Sequence, residues 1–178
     1  MKNIIVIYES KYGYTKRYAE WIAEALSCPI FEKKSITPSD LEKADTIIYG
    51  GGLYAGGVSG IKLITENWSL IANKKIALFT CGLANPKEPE NVTNIRNGIR
   101  KALSPEMFEK ITFFHFYGGI DYSRLGFIHK SMMAMLRKML LKKDESELTY
   151  EDKGLLDTYG GVVDFTDKES IRPLIEWV

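Results

Sequence analysis

Ser10, Tyr12, Gly13, Tyr14 and Thr15 stand together behind the apolar run at residues 4–7 and directly ahead of an amphipathic helical stretch, residues 15–26. Those residue types in that order suit the binding of an anion. A helix opening at about Thr15 turns its first backbone N–H groups, unpaired within the helix, toward the preceding turn. These groups carry the positive end of the helix dipole, a ready site for a phosphate. Ser10 and Thr15 add hydroxyl donors, and Gly13 lets the backbone fold closely round the anion. Lys11 stands beside them as a helper or a solvated charge, while Glu9 and Lys16 keep the local charge mixed. The turn has neither the G-x-x-x-x-G-K-[ST] of a nucleoside triphosphate loop nor the G-x-G-x-x-G of a dinucleotide site. What remains is a hydroxyl-rich loop suited to a terminal phosphate monoester.

Such a loop needs a strand before it and a helix after it, and the rest of the chain repeats that pairing. Residues 3–8, 46–49, 75–80 and 111–117 read as buried strands, with residues 30–34 as a weaker edge strand. Helical patterns lie between them at 15–26, 59–71 and 91–103, where Ser104-Pro105 ends the last. Strands alternating with helices imply βαβ units and a parallel sheet covered on both faces. In a doubly wound sheet of this kind the ligand lies outside the carboxyl ends of the strands, where the winding direction switches. The loops after the first, third and fourth strands should therefore meet at one site. A final short helix, residues 166–177, is displaced from the last strand by an insertion at residues 121–160.

The loop Ser10-Lys11-Tyr12-Gly13-Tyr14-Thr15 resembles the FMN phosphate loop of flavodoxins, a family whose sheet winds in the order 2-1-3-4-5. The stretch from Asp45 through Gly50-Gly51-Gly52-Leu53-Tyr54-Ala55-Gly56 is similar to the third strand and isoalloxazine loop of that family. Further stretches, LFTCGLANP (78–86), YGGIDYSRLGF (117–127) and VVDFTD (162–167), are similar to the quinone-dependent protoporphyrinogen IX dehydrogenase branch of flavodoxin-domain proteins. The resemblance covers nearly the whole chain. It implies an α/β flavodoxin-like fold, a five-stranded parallel sheet in order 2-1-3-4-5 with helices on both faces, in a single domain, 1–178, that carries the insertion after the last strand. It implies FMN as cofactor, held by Ser10 to Thr15, by Gly52, Leu53, Tyr54, Ala55 and Gly56, by Cys81, Gly82, Leu83, Ala84 and Asn85, and by Gly118 and Gly119. The implied activity is an FMN-dependent oxidation of a reduced tetrapyrrole with a quinone as acceptor; a flavodoxin-type electron carrier without substrate turnover is the alternative. In flavodoxins a peptide flip in the glycine loop lets a carbonyl accept the N5 hydrogen of reduced flavin. Tyr54 is then the residue to lie against the ring, whereas residues 80–85 lack the tryptophan or tyrosine that short-chain flavodoxins place on the other face, so that face is either open or covered from the loop Tyr117 to Tyr122.

The remaining features bound the reading. At 178 residues with a formal charge of +1, nothing in the composition advertises nucleic acid. Cys28 and Cys81 form neither a disulfide framework nor a metal motif and read as small hydrophobes. The N-terminal apolar run is too short for a signal segment, so a cytoplasmic protein is expected, at most peripheral to a membrane. No catalytic side chain and no metal site stands out: His115 alternates with Phe114 and Phe116 and reads as a core histidine, and the flavin would carry the chemistry. The insertion is distinctive. Residues 124–143 hold six Lys or Arg and no acid, and Leu125, Ile128, Met132, Met133, Met135, Leu136, Met139 and Leu140 share one helical face with His129. That face suits a membrane surface, an adaptable partner or its own core. An acidic run, Asp144, Glu145, Glu147, Glu151 and Asp152, follows and is expected to be a loop.

Overall fold

The computed structural model describes residues 3–54, 57–148 and 150–178. Six strands form the main sheet: β1 (Ile4–Glu9), β2 (Ile30–Glu32), β3 (Thr46–Tyr54), β4 (Gly57–Val58), β5 (Lys75–Gly82) and β6 (Thr112–Tyr117). Their order is β2-β1-β3-β5-β6, all parallel, with the two-residue β4 antiparallel to β3. With β4 set aside, this is the expected 2-1-3-4-5 flavodoxin-like winding.

The apolar runs explain why the sheet is buried on both sides. Side chains alternate across a strand, so Ile5, Ile7, Ile47, Tyr49, Ile76 and Leu78 enter one core, while Val6, Ile48, Ala77 and Phe79 enter the other. The first core is closed by residues of α2 (Pro38–Lys43), α3 (Lys62–Glu66), α4 (Trp68–Ile71) and α5 (Pro89–Ala102). The second is closed by Tyr18, Ala19 and Ile22 of α1 (Tyr14–Leu26) and by Ile171 and Leu174 near the C-terminus. Each fully buried Ile or Leu contributes about 1.5–3 kcal/mol, which makes these two layers the main source of stability.

Local chemistry sets the boundaries, and in three places they differ from the sequence reading. The third strand does not end at Tyr49 but runs on through Gly50–Gly52 to Tyr54. Close packing requires those glycines: a Cβ on Gly50 would lie 2.0 Å from the Phe79 ring, and one on Gly51 would lie 2.4 Å from Val58 Cγ1 and 2.6 Å from the Ser59 carbonyl oxygen. The helix expected over 59–71 is two short ones, α3 and α4, parted at Asn67, whose side-chain amide donates to the Leu63 carbonyl at 2.8 Å. Two further short helices appear. At the start of α2, Thr37 and Asp40 form a reciprocal capping box around Pro38. Ser104 likewise caps α6 (Pro105–Lys110), so the Ser-Pro pair that ends one helix starts another.

The chain divides into two compact units, residues 1–118 with 166–178, and residues 119–165. The expected insertion, 121–160, falls within the second. That unit has its own antiparallel pair, β7 (Gly119–Asp121) with β8 (Val162–Asp164), and the helices α7 (Phe127–Leu140) and α8 (Tyr150–Thr158). The acidic run is not simply a loop: it contains a capped turn, Glu145–Glu147 with Asp144, and the opening of α8. The remaining helix, α9 (Arg172–Trp177), belongs to the first unit.

Candidate functional site

The strand register brings the carboxyl ends of four strands level. Glu9 of β1 lies opposite Gly51, Gly52 of β3 opposite Cys81, and Gly82 of β5 opposite Tyr117. The chain passes from β1 outward to β2 and then back across to β3, so the winding reverses at β1 and β3. A switch point of this kind leaves a crevice where two loops part in opposite directions.

The first loop at this edge is Ser10 to Thr15. Gly13 occupies the N-cap of α1 in a left-handed conformation, φ 96°, and donates its N–H to Ser10 Oγ at 3.1 Å. The first helical bond is Arg17 N–H to the Gly13 carbonyl at 3.0 Å. A glycine cap supplies no side-chain acceptor, so the amides of the first turn receive none from it. Among the described residues, its two chain neighbours aside, no atom lies within 4 Å of where a Gly13 Cβ would stand. An uncapped first turn, a positive-φ glycine beside open space and two hydroxyl residues fit a phosphate group. Lys11 lies over the Tyr12 ring, 5.7 Å from its centroid, and Lys16 pairs with Glu20 along the helix at 3.6 Å. Glu9 pairs with Lys33 at 2.9 Å.

The second loop follows β3. The Tyr54 ring folds back over Gly52, where a Cβ would lie 2.8 Å from it, and meets Tyr12 edge to face with centroids 6.3 Å apart. Burial, helped by the neighbouring Tyr12, pushes the Tyr54 hydroxyl up to about 12. It therefore stays protonated through the ordinary pH range. Ala55 and Gly56 lie outside the described residues.

The third set ends β5 and β6. Gly118 donates its N–H to the Gly82 carbonyl at 2.7 Å, and a Cβ on Gly118 would meet Cys81 Sγ at 2.8 Å. A Cβ on Gly82 would meet Leu53 at 2.9 Å. Leu53, Cys81, Gly82 and Gly118 are thus brought together, with Cys81 buried and Leu83 exposed. Gly119 opens β7 in the second unit. Asn85 is anchored rather than free: its carbonyl accepts from Glu88 N–H and Asn91 Nδ2, each at 3.1 Å, and its Oδ1 accepts from Lys87 N–H.

Several supports of this edge carry no motif. Tyr49, fully buried, donates its hydroxyl to the Ser59 carbonyl at 2.8 Å, and Gly60, φ 70°, lets the chain pass close to Tyr49 and Glu9. Tyr18 donates to the Tyr117 carbonyl at 2.7 Å and accepts from Asp167 N–H at 3.0 Å, which ties α1 to the end of β6. The glycine in V-S-G-I is the signal available for the first; nothing in the sequence marks the second. His115 is half-buried near the end of β6 rather than part of either core. Its Nδ1 lies 2.8 Å from Thr80 Oγ1, and burial, with Arg96 nearby, lowers its pKa to about 4. Both cysteines are free thiols, and no cluster of metal-binding side chains occurs among the described residues.

With this geometry in place, the comparisons with known proteins are direct. The flavodoxin domain family matches residues 5–148. The chain belongs to that family, and its cofactor is FMN. Among solved structures, it is similar to a flavodoxin from the domain Archaea, at 20% identity with a TM-score of 0.42, covering 65% of this chain and 85% of that one. It is also similar to flavodoxin 2 from Bacillus cereus, at 22% identity and TM-score 0.42, covering 65% and 84%. A WrbA-like flavodoxin from Agrobacterium tumefaciens is 21% identical, TM-score 0.45, over 63% and 76%. No curated protein matches.

Proposed function

We propose that this chain is an FMN-dependent oxidoreductase that oxidises a reduced tetrapyrrole of the protoporphyrinogen class and passes the electrons to a quinone. Each pair of electrons and protons removed from the tetrapyrrole's C–H and N–H bonds converts one quinone into its quinol. In this reading FMN supplies the redox chemistry, and the chain binds and orients it. Ser10 and Thr15 donate hydroxyls to the phosphate alongside the first-turn amides of α1. Leu53 and Tyr54 border one face of the ring, and the backbone from Cys81 to Asn85, with Gly118, meets its pyrimidine edge; Ala55, Gly56 and Gly119 are assigned there from the sequence alone.

The observation that carries this reading is the asymmetry of the site. Tyr12 and Tyr54 bring aromatic rings to one side, while Thr80 to Asn85 supplies no aromatic side chain and leaves Leu83 exposed. A flavin with one uncovered face suits stacking by a planar substrate. Charge agrees: carriers that steer toward basic partners need strong negative charge, and this chain carries +1. The family match is equally compatible with a second reading, a flavodoxin that hands electrons to redox partner proteins without substrate turnover. Anaerobic assay of the FMN-loaded protein with protoporphyrinogen and a menaquinone analogue separates the two. Turnover of both supports the enzyme; electron exchange with soluble partners and no tetrapyrrole oxidation replaces it with the carrier.

The phosphate assignment has its own test. Hydrogen bonds to a charged group are worth about 1.5–3 kcal/mol each, so several of them should favour FMN over riboflavin by at least about 100-fold. Equal affinities in a fluorescence titration would remove Ser10 to Thr15 from the site.

A further inference from the structure

The helix α7 leaves its apolar stripe in solvent. One edge of the helix is covered, with Leu140 buried and His129 and Met133 half-buried. The broader arc beside that edge carries Ile128, Met132, Met135, Leu136 and Met139, all exposed, with Ile128 at 72%, Met135 at 63% and Met139 at 58%. At the N-terminal end Phe127 is 85% exposed. Soluble surfaces rarely carry so many large apolar side chains in one run, and such patches mark interaction sites.

The charges around the stripe select the partner. Lys138 borders it on the side away from the covered edge, Lys130 lies behind, and Lys142 follows the last turn; all three are exposed. Arg137 stacks on Tyr159, 4.9 Å from its ring centroid. No carboxylate occurs between residues 124 and 143. The acids that follow, Asp144, Glu145 and Glu147, lie past the C-terminal end of the helix, and Asp152 and Glu145 are paired with Lys143 and Lys153. At 14 residues α7 is about 21 Å long, and no helix among the described residues is long and apolar enough to cross a membrane. A short helix with an exposed Met-rich stripe beside lysines, free of acid, has the form that lies in the plane of a lipid interface. Methionine adapts to fluid acyl chains without a shaped groove.

We infer that α7 is a docking surface for an anionic lipid bilayer, its Ile128–Met132–Met135–Leu136–Met139 stripe entering the headgroup boundary and Lys138 and Lys142 meeting the lipid phosphates. The inference does not depend on the substrate proposed above. A flotation experiment tests it, with the full FMN-loaded chain and vesicles of phosphatidylcholine alone or mixed with phosphatidylglycerol. The anionic vesicles should bind at least about tenfold better than the neutral ones, and the advantage should shrink at high salt. The exposed double variant Ile128→Asp/Met135→Asp should lose about tenfold or more of that binding, with thermal stability and flavin absorption unchanged. The charge variant Lys138→Glu/Lys142→Glu should lose about as much for the anionic vesicles only. Equal binding to both vesicle types, or no binding to either, overturns the inference. So does unfolding of the aspartate variant together with unchanged binding by the charge variant. Dimerisation of the free protein that the aspartate variant abolishes would assign the stripe to a second copy instead.

Discussion

Tyr54 stands out in the sequence for its place among glycines, and its ring does fold over Gly52 and meet Tyr12 at the switch-point edge. If it borders the flavin, Tyr54→Ala should weaken FMN binding by about 1 kcal/mol or more, the usual worth of an aromatic pair, and shift the visible flavin bands. Titration of the apoprotein followed by absorbance checks both; an unchanged spectrum and affinity would place Tyr54 off the ring. His115 gives a prediction about pH. Burial holds its folded pKa near 4, below its ordinary 6.5, so in that window the unfolded chain binds the proton and the folded chain does not. Stability therefore falls as pH drops from about 6.5 toward 4, by at most about 3.4 kcal/mol. His115→Gln, which cannot titrate, should flatten that part of the urea-denaturation profile. An unaltered profile would mean that other groups dominate the acid limb.

At the scale of elements, the glycine-rich stretch departs furthest from its sequence reading. Gly50, Gly51 and Gly52 read as the start of the glycine loop after a strand ending at Tyr49; among the described glycines, only Gly13, Gly60 and Gly160 adopt a positive φ. The others at the end of β3 serve close approach by Phe79, Val58 and the Ser59 backbone. Gly51→Ala should cost about 1–3 kcal/mol or more from overpacking, because a backbone oxygen at 2.6 Å cannot turn aside. Gly57→Ala, whose Cβ would meet no atom of the described residues beyond its chain neighbours nearer than 3.7 Å, should be close to neutral. Urea unfolding of the pair checks the contrast; equal effects would refute it. The strands and α1 were legible because their apolar periods are strong. The break at Asn67 and the short helices α2 and α6 were not, since each is decided by one side-chain hydrogen bond at a helix end.

For the whole molecule, both cores of the first unit are built without any residue from 119–165. We therefore propose that the chain is one flavodoxin-like domain carrying an inserted unit, and that replacing residues 121–160 by a short linker leaves a folded domain. Loop closure adds little entropy cost at such a site. The shortened chain should melt cooperatively and bind FMN within about tenfold of the intact chain, a difference of about 1.4 kcal/mol. It should lose oxidation of the tetrapyrrole if the inserted unit serves that reaction. A chain that no longer folds would make the second unit part of the domain's own structure.

The sequence by itself determined the order of the main strands, the hydroxyl-and-glycine turn that leads into α1, and the place where the second unit interrupts the pattern. Those features rest on local signals: an Ile-rich run, a hydroxyl-and-glycine turn and a helical period that hold wherever the segment finds itself. Only the tertiary structure decided which residues those segments face. The amphipathic period of residues 124–143 marks an apolar side but cannot say whether anything covers it, and the fold covers Leu140 while leaving Ile128 and Met135 in solvent. The glycines of β3 likewise acquire their role from Phe79 and Ser59, residues that come near through strand pairing and a turn. Tyr18 finds Tyr117 and Asp167 across 99 and 149 positions of chain. Burial, close approach and the lowered pKa of His115 are properties of neighbours, and neighbours distant in sequence are set by packing alone.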